Sequence, residues 1–237
     1  MPCSPDPRCR PLRVLITAGP THEPIDAVRY LGNRSSGRVG VALAEEAASR
    51  GWQVRILMGP LARLPGSPGI EIHRFESTAD LEALLIEHLP ETDLLIMAAA
   101  VADFRPVVPE GTREGKWRRG KGPVTLHLEP TPDLLAGCAA RRRDDQTLVG
   151  FALEPRHRLT DSAREKLERK AIDFIVGNPL ETMDSDSIAA TLFQRGGEAV
   201  ASTDGQVGKG EFARWLFDQL EPVVAKATRR QTHRTPK

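Results

Sequence analysis

Residues 13–58 read RVLITAGPTHEPIDAVRYLGNRSSGRVGVALAEEAASRGWQVRILM, and this stretch decides the fold. It opens on an apolar run of strand length, RVLIT (13–17), and closes on another, QVRILM (53–58), with apolar positions at helical spacing over 39–49. The same rhythm continues down the chain. Strands are predicted at 70–75, 93–98, 124–129, 147–151 and 174–177, and helices at 79–89, 132–140, 159–170 and 211–227. Such alternation predicts an α/β fold, a mostly parallel sheet with helices on both faces, and ligands gather at the C-terminal ends of such strands. Function belongs in the loops after strands.

Composition sets the outer limits. The 237 residues carry 33 Lys+Arg against 32 Asp+Glu, a net charge of +1, and 40% are hydrophobic. A chain of this length buries roughly 70–75% of the surface it exposes when unfolded, so neither disulfides nor a structural metal is required. The balanced charge gives no overall field toward nucleic acid or an anionic membrane. Cys3, Cys9 and Cys138 form no CxxC or Cys/His cluster, which fits a reducing compartment. No segment reaches the ~20 apolar residues that span a bilayer, and residues 1–12 lack the apolar stretch of a signal peptide. The expected location is the cytoplasm. The two ends, 1–12 and 229–237, read as a disordered and a basic tail around a single domain at 13–228, with a segment of its own at about 104–130.

The loop after the first strand is far longer than the ~2–6 residues usual between strand and helix. Ser35, Ser36 and Gly37 stand where the helix begins, small enough to let an anion approach free backbone N–H groups, with Arg29, Arg34 and Arg38 around the turn. The plainer reading is that a serine caps the helix and the glycines turn the chain. A Rossmann-like oxidoreductase is the competing function, since small-x-x-Gly after a first strand also holds a pyrophosphate, and SSGRVG with the following helix resembles the opening of a short-chain dehydrogenase. Those enzymes move a proton with a Tyr and a Lys four apart. The one Tyr here, Tyr30, is followed at that spacing by Arg34.

Read whole, the motifs resemble those of phosphopantothenoylcysteine synthetase. They are ITAGPTHEPIDAVRYLGNRSSGRVG (16–40), MAAAVADFRP (97–106), GKWRRGKG (115–122), EPTPDLLA (129–136), GFALE (150–154), AREKLERK (163–170), DFIVGN (173–178) and the Ser185–Asp186 pair. Eight in order are specific where any one would be weak. The resemblance implies a Rossmann-like ligase, in stand-alone form, that joins 4′-phosphopantothenate to L-cysteine in coenzyme A biosynthesis. It also implies CTP ahead of ATP as co-substrate, an acyl-cytidylate, Mg²⁺, a homodimer, and a separate phosphopantothenoylcysteine decarboxylase as a possible partner. A non-catalytic nucleotide-binding module is the third alternative.

The resemblance also assigns residues. Lys116 matches the catalytic lysine at the start of the basic motif; six basic residues between Arg105 and Lys121 face two acidic ones, which suits a flap closing on phosphates rather than a merely solvated charge run. Asn33 matches the asparagine associated with the acyl-nucleotide, where its amide can hold a carbonyl or phosphate without changing charge. Lys166 and Lys170, four apart on one helix face, match the nucleotide-binding pair; solvated neighbours of Glu165 and Glu168 is their ordinary reading. Asp103 matches a nucleotide-contacting aspartate and could meet Mg²⁺, with the metal's ligands otherwise unassigned. Met97, Ala98 and Ala99 allow close approach of a base or ribose. Pro132, Asp133, Leu134 and Leu135 begin a helix lining the nucleotide pocket, and Phe151 offers an apolar face to the base. His22 reads as a loop residue. Arg38, Leu153, Pro155 and Ile188 depart from the family pattern on the nucleotide side.

Overall fold

The computed structural model describes residues 10–60, 63–108, 115–118, 120, 122–182 and 185–232. Cys3, Cys9, Arg119, Lys121, residues 109–114 of the basic segment and the last five residues lie outside the described residues.

The first strand, β1 (Arg13–Ala18), alternates its side chains between two layers, and that period of two organises the molecule. Val14, Ile16 and Ala18 point to one face, where α1 (Arg38–Ser49) lies; Leu15 points to the other. Two ribbon strands, β2 (His22–Pro24) and β3 (Tyr30–Gly32), occupy the long loop between β1 and α1. After α1 the chain makes β4 (Gln53–Met58) and β5 (Glu71–Arg74), and α2 (Thr78–His88) then crosses the opposite face to β6 (Leu94–Met97). A second ribbon, β7 (Phe104–Val107) with β8 (His127–Pro130), precedes α3 (Leu134–Arg141) and β9 (Thr147–Glu154). There follow α4 (Leu159–Lys170), β10 (Phe174–Pro179), β11 (Ser187–Ile188), β12 (Thr191–Gln194), β13 (Ala199–Ser202), β14 (Val207–Gly208) and α5 (Lys209–Thr232).

The main sheet runs β13-β12-β10-β9-β6-β1-β4-β5. Its strands from β10 to β5 pair in parallel, while β12 and β13 add antiparallel. Helices α1 and α5 bury Leu43, Phe212 and Phe217 against one face; α2, α3 and α4 bury Leu81, Leu135 and Leu167 against the other. The expected α/β class with helices on both faces is what the chain adopts. Because β4 and β6 flank β1 on opposite sides, the strand order reverses between β1 and β6, and a crevice opens there at the C-terminal ends of the strands.

Three boundaries differ from the sequence reading. Residues 10–12, taken as tail, are tied down: Arg10 donates to both oxygens of buried Asp93 at 2.5 and 2.8 Å, and the Leu12 carbonyl accepts from Gln53 N–H at 2.9 Å. At the other end, α5 runs to Thr232 rather than ending near 227, with Pro222 inside it. The strand expected over 124–129 forms at His127–Pro130 and pairs with β7 outside the main sheet, so its alternation serves a ribbon. No helix among the described residues is long and apolar enough to cross a membrane.

Candidate active site

A cavity of about 480 Å³ lies at the reversal of strand order. One wall is the start of α1. Gly37 is the N-cap residue, at φ 64°, and no side chain caps the helix. Ser35 Oγ accepts only the Gly37 N–H, at 3.4 Å, and Ser36 is exposed. The serine-cap alternative therefore does not describe this turn: the amides of the first helical turn are left to a ligand or water. Gly40 lets the helix descend onto β1, since a Cβ there would come within 2.5 Å of the Ala18 Cβ.

The opposite wall carries cations. Lys166 and Lys170 both reach the cavity from α4, and neither is paired as its helix neighbours suggested. Lys166 Nζ donates to Glu154 at 2.8 Å, and Glu154 also accepts from Ser162 Oγ at 2.9 Å. Lys170 is bonded to Asp133, the N-cap of α3, which accepts from the Ala136 N–H as well. The Lys166 hydrogen bond holds the Glu154 carboxyl below its ordinary range despite partial burial. Burial alone would raise the Asp133 carboxyl, but Lys170 and the Ala136 amide outweigh it and hold it low. Each ammonium is thus paired to a carboxylate on the cavity side of α4.

The floor is backbone and small side chains. Residues 97–103 leave the end of β6 and are stitched to the β1 loop: Thr17 Oγ1 accepts from Ala99 N–H at 3.0 Å, Thr21 Oγ1 from Ala102 N–H at 2.9 Å, and Gly19 C=O from Ala100 N–H at 2.9 Å. Thr131 closes the far side, its N–H on the Asp103 carbonyl at 3.0 Å and its hydroxyl on the Ala102 carbonyl at 2.5 Å. Phe151 stands half-buried on the rim, edge-on to Phe212 of the core at 6.3 Å between ring centroids.

The cavity's lining includes Ser35, Ser36, Gly37, Met97, Ala98, Ala99, Asp103, Pro132, Asp133, Leu134, Leu135, Phe151, Lys166 and Lys170. Leu134 and Leu135 are also core residues, packed beneath the floor. Two of the sequence-predicted residues are not on the wall. Asn33 is exposed and donates from its side-chain amide to the Val101 carbonyl at 2.9 Å, one residue position inside the lining. Lys116 is exposed on the segment 115–118, beside the β2–β3 ribbon, and does not line the cavity.

Lining residues that motif reading did not single out include Thr131, Arg169, Asn178 and Lys209. Arg169 precedes Lys170 and Thr131 lies inside the EPTPD motif, so proximity to assigned residues was the available signal. Lys209 had none; it arrives because β14 ends at the cavity mouth. Arg38 crosses the mouth to Asp186. Leu153 and Ile188, two of the departures from the family pattern, both face the cavity.

Other groups fall outside. Tyr30 stacks on His22 with ring centroids 3.5 Å apart and lies off the cavity wall, so the oxidoreductase reading finds no proton-transfer pair there. Burial pushes the His22 imidazole below its ordinary pKa. The buried Cys138 thiol is pushed up to about 12, which leaves it protonated and unreactive. Among the described residues no group of three or more His, Cys, Asp or Glu could enclose a metal ion.

A family described as DNA/pantothenate metabolism flavoprotein C-terminal domain matches residues 10–223. A cysteine/cysteine sulfinic acid decarboxylase from an unknown prokaryotic organism is 44% identical over 169 residues, covering 71% of this chain and 46% of that protein. The coenzyme A biosynthesis bifunctional protein CoaBC of Escherichia coli (strain K12) is 35% identical over 223 residues, covering 92% of this chain and 54% of that one. Among solved structures, the C-terminal domain of a CoaBC protein superposes with a TM-score of 0.75 at 32% identity, covering 91% of this chain and 96% of that one. The chain spans about half the length of the curated relatives it matches.

Proposed function

The chain belongs to the family of DNA/pantothenate metabolism flavoprotein C-terminal domains, and from that premise we propose that it is the ligase that joins 4′-phosphopantothenate to L-cysteine, with CTP as co-substrate. The observation that carries this reading is that an uncapped helix start, two lysines and an apolar ring meet at one cavity. In the first step a carboxylate oxygen of phosphopantothenate attacks the α-phosphorus of CTP; the P–O bond to the leaving group breaks, giving acyl-cytidylate and pyrophosphate. In the second, the cysteine amine attacks the acyl carbon, CMP leaves, and the amine gives up a proton as the amide forms.

The first step crowds anionic oxygens together, so the residues that matter are those that offer oriented donors and cations as charge develops. The amides of Arg38, Val39 and Gly40 begin α1 and suit a phosphate group. Lys166 and Lys170 suit the same triphosphate once Glu154 and Asp133 release them. Lys116 supplies a further cation from outside the wall by way of its long, exposed side chain, and Asn33 orients the acyl group from its bond to Val101. Phe151 provides the face on which a base rests. Asp103, on the wall and exposed, fits Mg²⁺ of the kind that takes one or two carboxylates and completes its shell with phosphate oxygens and water. When bound, that ion neutralises phosphate charge.

The family's dimeric habit finds support in exposed apolar side chains on the two ribbons and the segments beside them, Val28, Tyr30, Phe104, Val107, Val124 and Leu128. These flank the segment that carries Lys116, so the closing cation can come from a second copy.

The test mixes the protein with phosphopantothenate, Mg²⁺ and each nucleoside triphosphate separately, and follows pyrophosphate. Release that requires CTP, with CMP appearing when cysteine is added, is the expected result. Nucleotide binding with no pyrophosphate would leave only a binding module.

A further inference from the structure

One buried carboxylate has no part in the cavity. Asp26, in the loop between β2 and β3, is 4% exposed, yet its oxygens accept five hydrogen bonds. Oδ1 takes the N–H groups of Val28 at 2.9 Å and Arg29 at 2.8 Å, which closes the loop on itself. Oδ2 takes Arg29 Nε at 2.9 Å, Arg29 Nη2, and the backbone N–H of Trp117 at 3.0 Å. The last of these joins the loop to a segment 91 positions away.

More bonds cross the same joint. Ala27 N–H donates to the Gly115 carbonyl at 3.2 Å, and Arg29 Nη2 donates to the Trp117 carbonyl at 3.3 Å. The Arg29 guanidinium also lies 5.7 Å from the centre of the Trp117 ring. The backbone is therefore held at Gly115 and on both sides of Trp117, while the residue between them, Lys116, has an exposed side chain. These bonds fix where the backbone of 115–117 lies, and a charged acceptor makes the stronger ones. Arg29 first, then the surrounding amides, hold the Asp26 carboxyl far below the usual carboxylate range, so the acceptor stays charged.

We propose that Asp26 is a positioning residue: through the Trp117 backbone, and with Arg29 as its partner, it fixes the point from which Lys116 swings toward a bound triphosphate. A lysine ammonium on a four-carbon stem sweeps a wide volume, and anchoring its backbone confines that volume so that the cation meets developing charge at a set place. The inference rests on the role given to Lys116 in the proposed ligation. It extends that reading, because no residue of 115–118 lines the cavity and the anchor acts from behind.

The separation of anchor from cavity supplies the test. Asp26→Asn keeps the shape but loses the charge and one set of acceptor sites. In this variant hydrogen–deuterium exchange across residues 115–118 is expected to quicken at least tenfold. The kcat for pyrophosphate release is expected to fall tenfold or more, with the KM for CTP within about twofold of the unaltered protein. Trp117→Pro removes the donated N–H together with the ring beside Arg29 but leaves the Asp26–Arg29 bonds within the loop, and it should reproduce the loss of kcat at constant KM even if Asp26→Asn fails to fold. Unchanged exchange in a folded Asp26→Asn protein, or full turnover in Trp117→Pro, overturns the proposal; so does a rise in KM that accounts for the whole loss. If the unaltered chain releases no pyrophosphate with any nucleotide, the ligase reading falls, while the exchange measurement still decides whether Asp26 anchors the segment.

Discussion

Lys166 and Lys170 show how the same spacing carries two meanings. Four apart on α4, they face one direction, which helical geometry alone dictates. That this direction is a cavity, and that Glu154 and Asp133 occupy them in it, depends on residues 12 and 37 positions away. Lys166→Met is expected to weaken CTP binding about tenfold, near 1.4 kcal/mol, as read by equilibrium titration; an unchanged affinity would remove Lys166 from the nucleotide site. Lys116 should behave differently because it stands off the wall. Lys116→Gln is expected to lower pyrophosphate release by about 10²-fold or more, the scale of losing a donor to developing charge, with binding of CTP largely retained. Single-turnover measurements separate these two losses. At this scale residue type and spacing marked the serine-glycine turn and the small residues at 97–99, while the lysines were singled out by the family resemblance, since their spacing alone reads as a solvated helix face. Arg169 and Asn178 lay inside recognised motifs without being singled out, and Lys209 had no signal at all, since only its place on the wall marks it.

Elements differ in how loudly their residues speak. Helix α2 announces its start: Ser77 accepts from the Asp80 N–H at 3.2 Å while the Asp80 carboxylate takes the Ser77 N–H at 2.9 Å, a reciprocal cap that leaves no first-turn ambiguity. Ser77→Ala should cost about 1 kcal/mol, measured as a lower urea midpoint at constant slope. The edge strand β5 is largely exposed, but the central parallel strands β1 and β6 are equally plain, as short apolar runs buried on both faces. The ribbons are not. β2, β3, β7 and β8 are three or four residues long, three of them contain a Pro, and they are held as two pairs, β2 with β3 and β7 with β8, outside the main sheet. Buried Glu23 anchors the first ribbon by accepting from the Thr78 N–H and hydroxyl at 2.8 and 2.6 Å, a bond across 55 positions with no local trace.

At the scale of the whole molecule, two consequences are measurable. His88 is buried at the end of α2 with its Nε2 lacking a hydrogen-bond partner, and its ring sits 4.3 Å from that of His73. Burial first, and then Arg55, lower its pKa in the folded state. The unfolded chain therefore binds a proton near the ordinary value of about 6.5 that the folded chain refuses, so stability should decline as pH falls below that value. His88→Gln should flatten the decline in denaturant titrations between pH 7 and 5; an identical slope would assign the acid sensitivity elsewhere. The apolar side chains on the ribbons predict association. Phe104→Glu is expected to shift a dimer toward monomer in sedimentation velocity at micromolar concentration, and a wild-type protein already monomeric there would refute the shared-site arrangement.

The alternation of strand and helix, the two-layered core and the small serine-glycine turn at the start of α1 follow from the sequence itself, because periodicity and residue type act over a few positions. The tertiary structure alone decided which carboxylates hold the lysines, that the first turn of α1 is left uncapped, and that a buried aspartate reaches across 91 positions to the basic segment. Those are bonds between parts of the chain that have no local reason to meet; they form only once burying the apolar faces of the sheet has brought the loops to one edge.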